Sequence, residues 1–116
     1  MFIRNDAQRA RVCRALVSQV GRADLWTESG PTPEALDLRE HGTGFLPFSE
    51  QALFGAAWVI WSEENDYPLP SMGDMIAYLD SKQLACLGTL LTALSEDDEA
   101  IACWLARWAP PELKAY

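Results

Sequence analysis

The stretch Ala-Leu-Phe-Gly-Ala-Ala-Trp-Val-Ile-Trp, residues 52–61, contains ten residues and no charge. It is too short to cross a bilayer, which takes about 20 apolar residues. It is also apolar around its whole circumference if it is helical, and a helix of that kind lies inside a protein core. We therefore predict a central buried helix over residues 50–62, capped by Ser49, with the rest of the chain as its packing shell.

The flanking segments show helical spacing of apolar residues and good helix-start signals. Gly21 ends the first of them, a helix that we predict to be amphipathic and peripheral. No convincing alternating pattern typical of a strand occurs between Gly21 and Pro47, although residues 44–48 are compatible with an extended segment. The predicted caps are Asn5, Thr32, Ser71, Asp80 or Ser81, and Ser95, and the predicted helices besides the central one cover 6–20, 33–39, 72–79, 82–94 and 96–109.

Three of the predicted helices carry a clear apolar side. The sequence predicts an all-α fold, a compact single-domain bundle of five to six helices spanning residues 1–116. The apolar sides consist of Met72, Met75, Ile76 and Leu79; of Leu84, Leu87, Leu91 and Leu94; and of Ile101, Trp104, Leu105 and Trp108. Gly88 lies within the second of these helices and is predicted to permit close packing between helices.

Size and composition are those of one soluble globular domain. The chain has 116 residues, of which 49% are hydrophobic and 22% charged, so it is long enough to bury a core without disulfides. Three widely spaced cysteines do not form the dense, even set of a secreted disulfide framework. The N-terminus has no apolar stretch suited to a signal peptide. We expect a cytoplasmic protein with no membrane association.

Charge is distributed unevenly along the chain. Residues 1–23 carry five arginines and one acidic residue, a net charge of +4, whereas residues 24–116 carry four basic and sixteen acidic residues, a net charge of −12. An acidic body repels phosphates, which argues against general binding to nucleic acid. The arginines Arg9, Arg11 and Arg14 on the first helix either contact acidic neighbours within the fold or form a basic stripe for an acidic partner.

No motif in the sequence specifies catalysis, a cofactor or a metal. The phosphate-binding glycine loops are absent. The short gaps in sequence that are typical of zinc sites do not occur between Cys13, Cys86, Cys103 and His41. The sequence also lacks a Gly-x-Ser-x-Gly nucleophile motif with which His41 would act. The acidic run 96–99 suits the first turn of a helix better than a calcium loop. We predict a protein that is not an enzyme and has no cofactor or metal site.

The five tryptophans suggest how the protein acts. Tryptophan is rarely buried completely and is enriched at interface hot spots. Trp26 lies in a polar connector and Trp108 at the end of the last helix before two prolines, so we expect both at the surface. The predicted interface residues are Trp26, Trp108, Arg9, Arg11 and Arg14.

These features favour a non-enzymatic protein-protein interaction module, such as an adaptor, a regulatory subunit or a small homo-oligomer. It would act through an acidic, tryptophan-bearing helical surface on a protein partner or on a second copy of itself. One alternative is an acidic inhibitor that mimics nucleic acid and binds a basic enzyme. Another is a small ligand-binding bundle with a pocket near Trp58, Tyr67 and Tyr78.

Overall fold

The computed structural model describes residue 3 and residues 5–63 and 67–111, and this part of the chain is predominantly helical. The all-α prediction is confirmed. A 3-10 turn, Ala23–Leu25, and two very short strands lie between the first two helices. The helices are α1 Asp6–Ser18, α2 Pro33–His41, α3 Phe48–Ser62, α4 Met72–Tyr78, α5 Ser81–Leu94 and α6 Asp98–Trp108, and the strands are β1 Trp26–Thr27 and β2 Gly30–Pro31.

Side-chain caps begin five of these helices. The predicted caps Asn5, Thr32, Ser71 and Asp80 each accept a hydrogen bond from the backbone N–H three residues on. At α6 the prediction of Ser95 is wrong, because Asp97 is the residue in extended conformation that accepts from the Ala100 N–H. Ser95 instead closes α5, where its hydroxyl donates to the carbonyl of Thr92.

The start of α3 also differs from the prediction. The helix begins at Phe48, with Pro47 in the cap position and no capping side chain, so Ser49 lies inside the first turn. Proline lacks an N–H group and its φ suits the entry to a helix. At the other end, Glu63 closes α3 in the left-handed conformation.

A small hairpin occupies part of the region in which no strand was predicted. Trp26 pairs with Pro31, and Thr27 pairs with Gly30, in an antiparallel ladder. The Thr27 hydroxyl donates to the Gly30 carbonyl and accepts from the Ser29 N–H, which closes the turn. With only two residues in each strand, no alternating pattern was available to indicate it.

The core forms where α3 packs against α1. Every residue from Ala52 to Trp58 is buried, and so is Ile60, which confirms the buried central helix. The prediction that α1 is peripheral is wrong, because α1 is the main packing partner of α3. Apolar side chains occupy most of its circumference, and the buried ones are Ala10, Val12, Cys13, Ala15, Leu16 and Val17.

The last two helices form a pair beside this core. The indole N–H of Trp104 donates to the carbonyl of Cys86 at 3.0 Å, which joins α6 to α5. The side-chain amide of Gln19 donates to the carbonyl of Trp108 at 3.3 Å, which ties the end of α6 to the end of α1. The Trp104 bond orients α5 toward α6, and part of the α5 surface, including Leu91, faces away from the core.

Candidate interaction surface

The two tryptophans predicted at the surface are buried. Trp26 is 1% exposed and its ring lies 5.9 Å from that of Phe54 and 6.5 Å from that of Trp58, measured between centroids. Trp108 is 8% exposed. The expectation of surface rings is therefore wrong for both. The hairpin folds Trp26 onto α3, and the hydrogen bond from Gln19 holds the end of α6 against α1.

The predicted arginine face of α1 is partly used within the fold. The Arg9 guanidinium lies 4.9 Å from the centroid of the Trp61 ring and contacts the carboxylates of Asp6 and Glu63. Arg11 and Arg14 are half-buried. Arg9 therefore stacks and forms ion pairs within the fold, as the first of the two interpretations of this charge pattern expects, and Arg11 and Arg14 also have interaction partners.

A groove lined only by apolar side chains lies between α3, α4 and α5. Its volume is about 180 Å³. One wall comes from α5 and the other from α4 and the connector 67–70, while α3 forms the floor. We name it the α3–α5 groove, and its lining residues are Ala52, Ala56, Val59, Ile60, Leu69, Met75, Leu87, Leu91 and Leu94.

The groove stays open because the apolar side of α5 is wider than the face that the core covers. The buried residues of α5 are Cys86, Leu90 and Ala93, which face α6 and the core. The predicted leucine stripe lies to one side of them, and Leu91 within it is 58% exposed. The stripe was correctly identified as apolar, but its position at the edge of the core depends on how α5 pairs with α6.

The apolar side of α4 is also largely uncovered. Of the four residues predicted to share it, Leu79 is buried, Met75 lines the groove, and Met72 and Ile76 are 72% and 64% exposed. Residues three and four apart are neighbours on a helix surface, so Met72 lies next to both Met75 and Ile76. Leu69, which is 46% exposed, and Leu91 are exposed as well. We call the four exposed side chains the apolar rim: Leu69, Met72, Ile76 and Leu91.

A close approach of the connector to α3 holds one wall in place. A Cβ atom at Gly55 would lie 2.8 Å from Cδ2 of Leu69 and 3.4 Å from the Tyr67 ring. The Arg39 guanidinium lies 5.4 Å from the centroid of the Tyr67 ring and 5.7 Å from that of Trp58, which joins the connector to α2 and α3. At Gly88, by contrast, a Cβ would meet nothing within 4 Å, so its predicted role in close packing is wrong.

The groove contrasts with the rest of the surface in its charge. The segment from Gln83 to Leu94 has twelve residues and no charge, and within residues 72–94 only Asp74, Asp80 and Lys82 are charged. Acidic side chains resume immediately after it, in the run Glu96–Glu99, where all four are exposed. The lining of the groove itself has no charged side chain, which distinguishes it within a chain of net charge −8.

Other cavities in the described residues are more polar or more open. One of about 540 Å³ includes Lys82, Arg107 and Trp108 in its lining, and one of about 440 Å³ lies between α5 and α6 beside Trp104. The residues suggested for a ligand pocket occupy different environments, although Trp58 and Tyr67 both stack on Arg39. Tyr67 lines a cavity of about 250 Å³, while Trp58 is buried and Tyr78 is exposed beside Phe48.

The cysteines occupy three different environments. Cys13 is fully buried and its thiol donates to the carbonyl of Ala57 at 3.2 Å; burial raises its pKa far above the ordinary value. Burial also raises the pKa of Cys86 to about 12. Cys103 is exposed on α6. Across residues 3, 5–63 and 67–111, no three His, Cys, Asp or Glu side chains come together as a metal site would require.

Comparisons with protein-family models, curated proteins and solved structures found no match to this chain. Among the helices of the described residues, none has the length and apolar character that crossing a membrane demands. The candidate site therefore stands on its geometry: an uncharged apolar groove with four exposed side chains at its rim.

Proposed function

We propose that this protein is a non-enzymatic protein-interaction module whose binding surface is the α3–α5 groove. The observation that carries the proposal is the exposure of the apolar rim. Leu69 and Leu91 line the groove and are 46% and 58% exposed, and Met72 and Ile76, on the helix that contributes Met75 to the groove, are 72% and 64% exposed. Scattered apolar residues at a surface are ordinary, but clustered ones commonly mark a binding site.

The energetics support a binding role for the rim. Burying a Leu, Ile or Met side chain completely stabilises a complex by about 1.5–3 kcal/mol. Because these four side chains are roughly half to three-quarters exposed, a partner that covered them would gain roughly 1–2 kcal/mol from each. The gain offsets part of the cost of association, which is about 4–15 kcal/mol. This gain supports binding of a protein partner at the rim.

The groove also offers a partner a rigid frame. Its floor belongs to the most buried helix of the protein, and the connector is held by Gly55 and by the stacking of Arg39 on Tyr67. A binding surface that is already in place loses little conformational entropy when a partner arrives. Helix-in-groove recognition uses surfaces of this kind, with apolar side chains entering between helices.

Position-specific photo-crosslinking tests the proposal. A benzophenone amino acid is placed at position 91 in the groove wall, and in a matched control at position 36, because Leu36 is 48% exposed on α2 and does not line the groove. Irradiation in cells of the source organism should yield a discrete adduct from position 91 and none from position 36. Equal adducts from both positions, or none from position 91, would contradict the proposal.

A further inference from the structure

We propose that a cavity between the C-terminal ends of α1 and α6 and the start of α5 binds a small organic oxyanion, a compound that carries a phosphate or carboxylate group. The cavity has a volume of about 540 Å³, which lies within the range of small-molecule sites. It shares no lining residue with the α3–α5 groove, so the proposal does not depend on the function proposed for the groove. Its polar and aromatic lining residues are Ser18, Gln19, Lys82, Arg107 and Trp108.

The cavity brings together the basic side chains of the second half of the fold. Residues 67–111 contain two basic residues, Lys82 on α5 and Arg107 on α6, and both line the cavity. The same range contains six acidic residues, and none of them lines it. Because a chain of net charge −8 repels anions in general, attraction of an anion to this cavity depends on the two local cations. The six acidic residues are Asp74, Asp80, Glu96, Asp97, Asp98 and Glu99.

The two cations differ in their relation to their own helices. Lys82 lies in the first turn of α5, where the positive end of the helix dipole disfavours a cation, and it forms no ion pair among the described residues. Arg107 lies in the last turn of α6, and its guanidinium stacks 4.9 Å from the centroid of the Trp108 ring. Both side chains are exposed, so a ligand can reach them from solvent.

The indole of Trp108 offers a third donor at the same cavity. Trp108 is 8% exposed, and its indole N–H has no hydrogen-bond partner among the described residues. Buried polar groups are nearly always hydrogen-bonded, and an oxyanion would give this donor an acceptor. The neighbouring polar groups are already engaged, since the Ser18 hydroxyl donates to the Ala15 carbonyl at 2.6 Å and the Gln19 amide donates to the Trp108 carbonyl at 3.3 Å.

The chemistry of these donors matches an oxyanion. A guanidinium presents its N–H groups in a planar fork that fits two oxygens of one phosphate or carboxylate, and an ammonium group adds a compact positive charge. Hydrogen bonds between ionised partners are shorter and stronger than those between neutral groups. A cationic ligand is repelled by Lys82 and Arg107 alike. The lining thus favours anions by charge, and the volume favours small molecules.

Nuclear magnetic resonance of the isotope-labelled full chain tests the proposal, because each tryptophan indole N–H gives a signal of its own that triple-resonance experiments assign. Sodium pyrophosphate and sodium citrate are titrated separately at low ionic strength, as a phosphate probe and a carboxylate probe. We expect a saturable shift of the Trp108 indole signal with at least one probe. The Trp26 signal is the internal control and should not move, because its indole N–H is also buried without a partner but does not line the cavity.

Variants of the two cations test whether the shift reports binding in the cavity. Lys82→Gln and Arg107→Gln should each raise the Kd about 10-fold, because each removes a charge-assisted hydrogen bond to the ligand. Both side chains are exposed, so the variants should fold, which far-UV circular dichroism checks. The matched control Arg22→Gln removes the same charge outside the cavity, where Arg22 pairs with Asp24 and Glu34, and should change the Kd less than about threefold.

The outcomes decide for or against the site. A saturable Trp108 shift that weakens in Lys82→Gln and Arg107→Gln, weakens with added NaCl and persists in Arg22→Gln supports it, and the tighter of the two probes identifies phosphate or carboxylate as the bound group. The absence of a shift with both probes, an equal shift of the Trp26 signal, or a Kd that Lys82→Gln leaves unchanged overturns it. The two cations would then serve only to offset the partial negative charge at the ends of α1 and α6.

Discussion

Replacement of Gly30 by alanine should destabilise the fold far more than replacement of a glycine that also has a positive φ but has no packed neighbour at its Cβ position. Gly30 has φ +128°, a region that side chains rarely adopt, and a Cβ there would lie 2.7 Å from Cζ2 and 2.9 Å from Cη2 of Trp61. Trp61 in turn stacks on Arg9. The hairpin can therefore reach the end of α3 only because position 30 has no side chain.

Two costs combine at this position. Backbone strain of this kind costs about 1–3 kcal/mol, and forcing a methyl group against a packed ring costs about 1–3 kcal/mol. Alanine also restricts the unfolded chain, which returns roughly 0.4–1 kcal/mol. The free energy of unfolding of Gly30→Ala should therefore fall by about 1–5.5 kcal/mol. Gly42→Ala is the matched control, since Gly42 has φ +95° and no atom within 4 Å of the new Cβ.

A double-mutant cycle measured by urea unfolding separates the clash from the strain. In a Trp61→Leu background the two clashing ring atoms are absent, so Gly30→Ala should cost about 1–3 kcal/mol less than it does beside tryptophan. Far-UV circular dichroism is the suitable signal, because the cycle changes the tryptophan content. If Gly30→Ala and Gly42→Ala lose the same free energy, or if the leucine background changes nothing, the hairpin does not depend on contact with Trp61.

Two further predictions concern the thiols and the helical glycines. A thiol reagent such as dithiobis-nitrobenzoate at pH 8 should label Cys103 rapidly in the native protein, and Cys13 and Cys86 only on unfolding. The reason is that the thiolate is the reactive form, and burial raises the pKa of both buried thiols. Rapid labelling of all three thiols in the native state would contradict the fold. Gly88→Ala should raise the free energy of unfolding by about 0.5–1 kcal/mol. Gly55→Ala should raise it less, because the new Cβ would lie 2.8 Å from the Leu69 side chain. Thermal melts that rank the two variants in the opposite order would argue against the close approach of the connector to α3.

Local signals in the sequence were sufficient for most of the helices. Asn5, Thr32, Ser71 and Asp80 cap the helices that they were predicted to cap, because a cap depends on the residues of a single turn. The cap of α6 was predicted wrongly. Ser95 and Asp97 are both good caps, and the choice between them depends on where α5 ends, which local preference does not specify.

The candidate site was less predictable than the helices that build it. Leu91 was recognised as part of an apolar stripe, and Met72 and Ile76 as part of another. Their exposure depends on which neighbour each helix turns toward, since Trp104 draws α5 to α6 through its bond to Cys86. The same limitation misplaced Trp26, which a two-residue strand folds onto α3.

Sequence alone was enough for the all-α class, the approximate helices and the burial of residues 52–58, because periodicity and charge act over a few neighbouring residues. Assembly of the chain in three dimensions settled which apolar side chains are covered. The long-range contacts of Gly30 with Trp61, Gln19 with Trp108, and Trp104 with Cys86 join residues 18 to 89 positions apart. These contacts put Trp108 in the core and leave the α3–α5 groove open, and no short stretch of residues encodes either result.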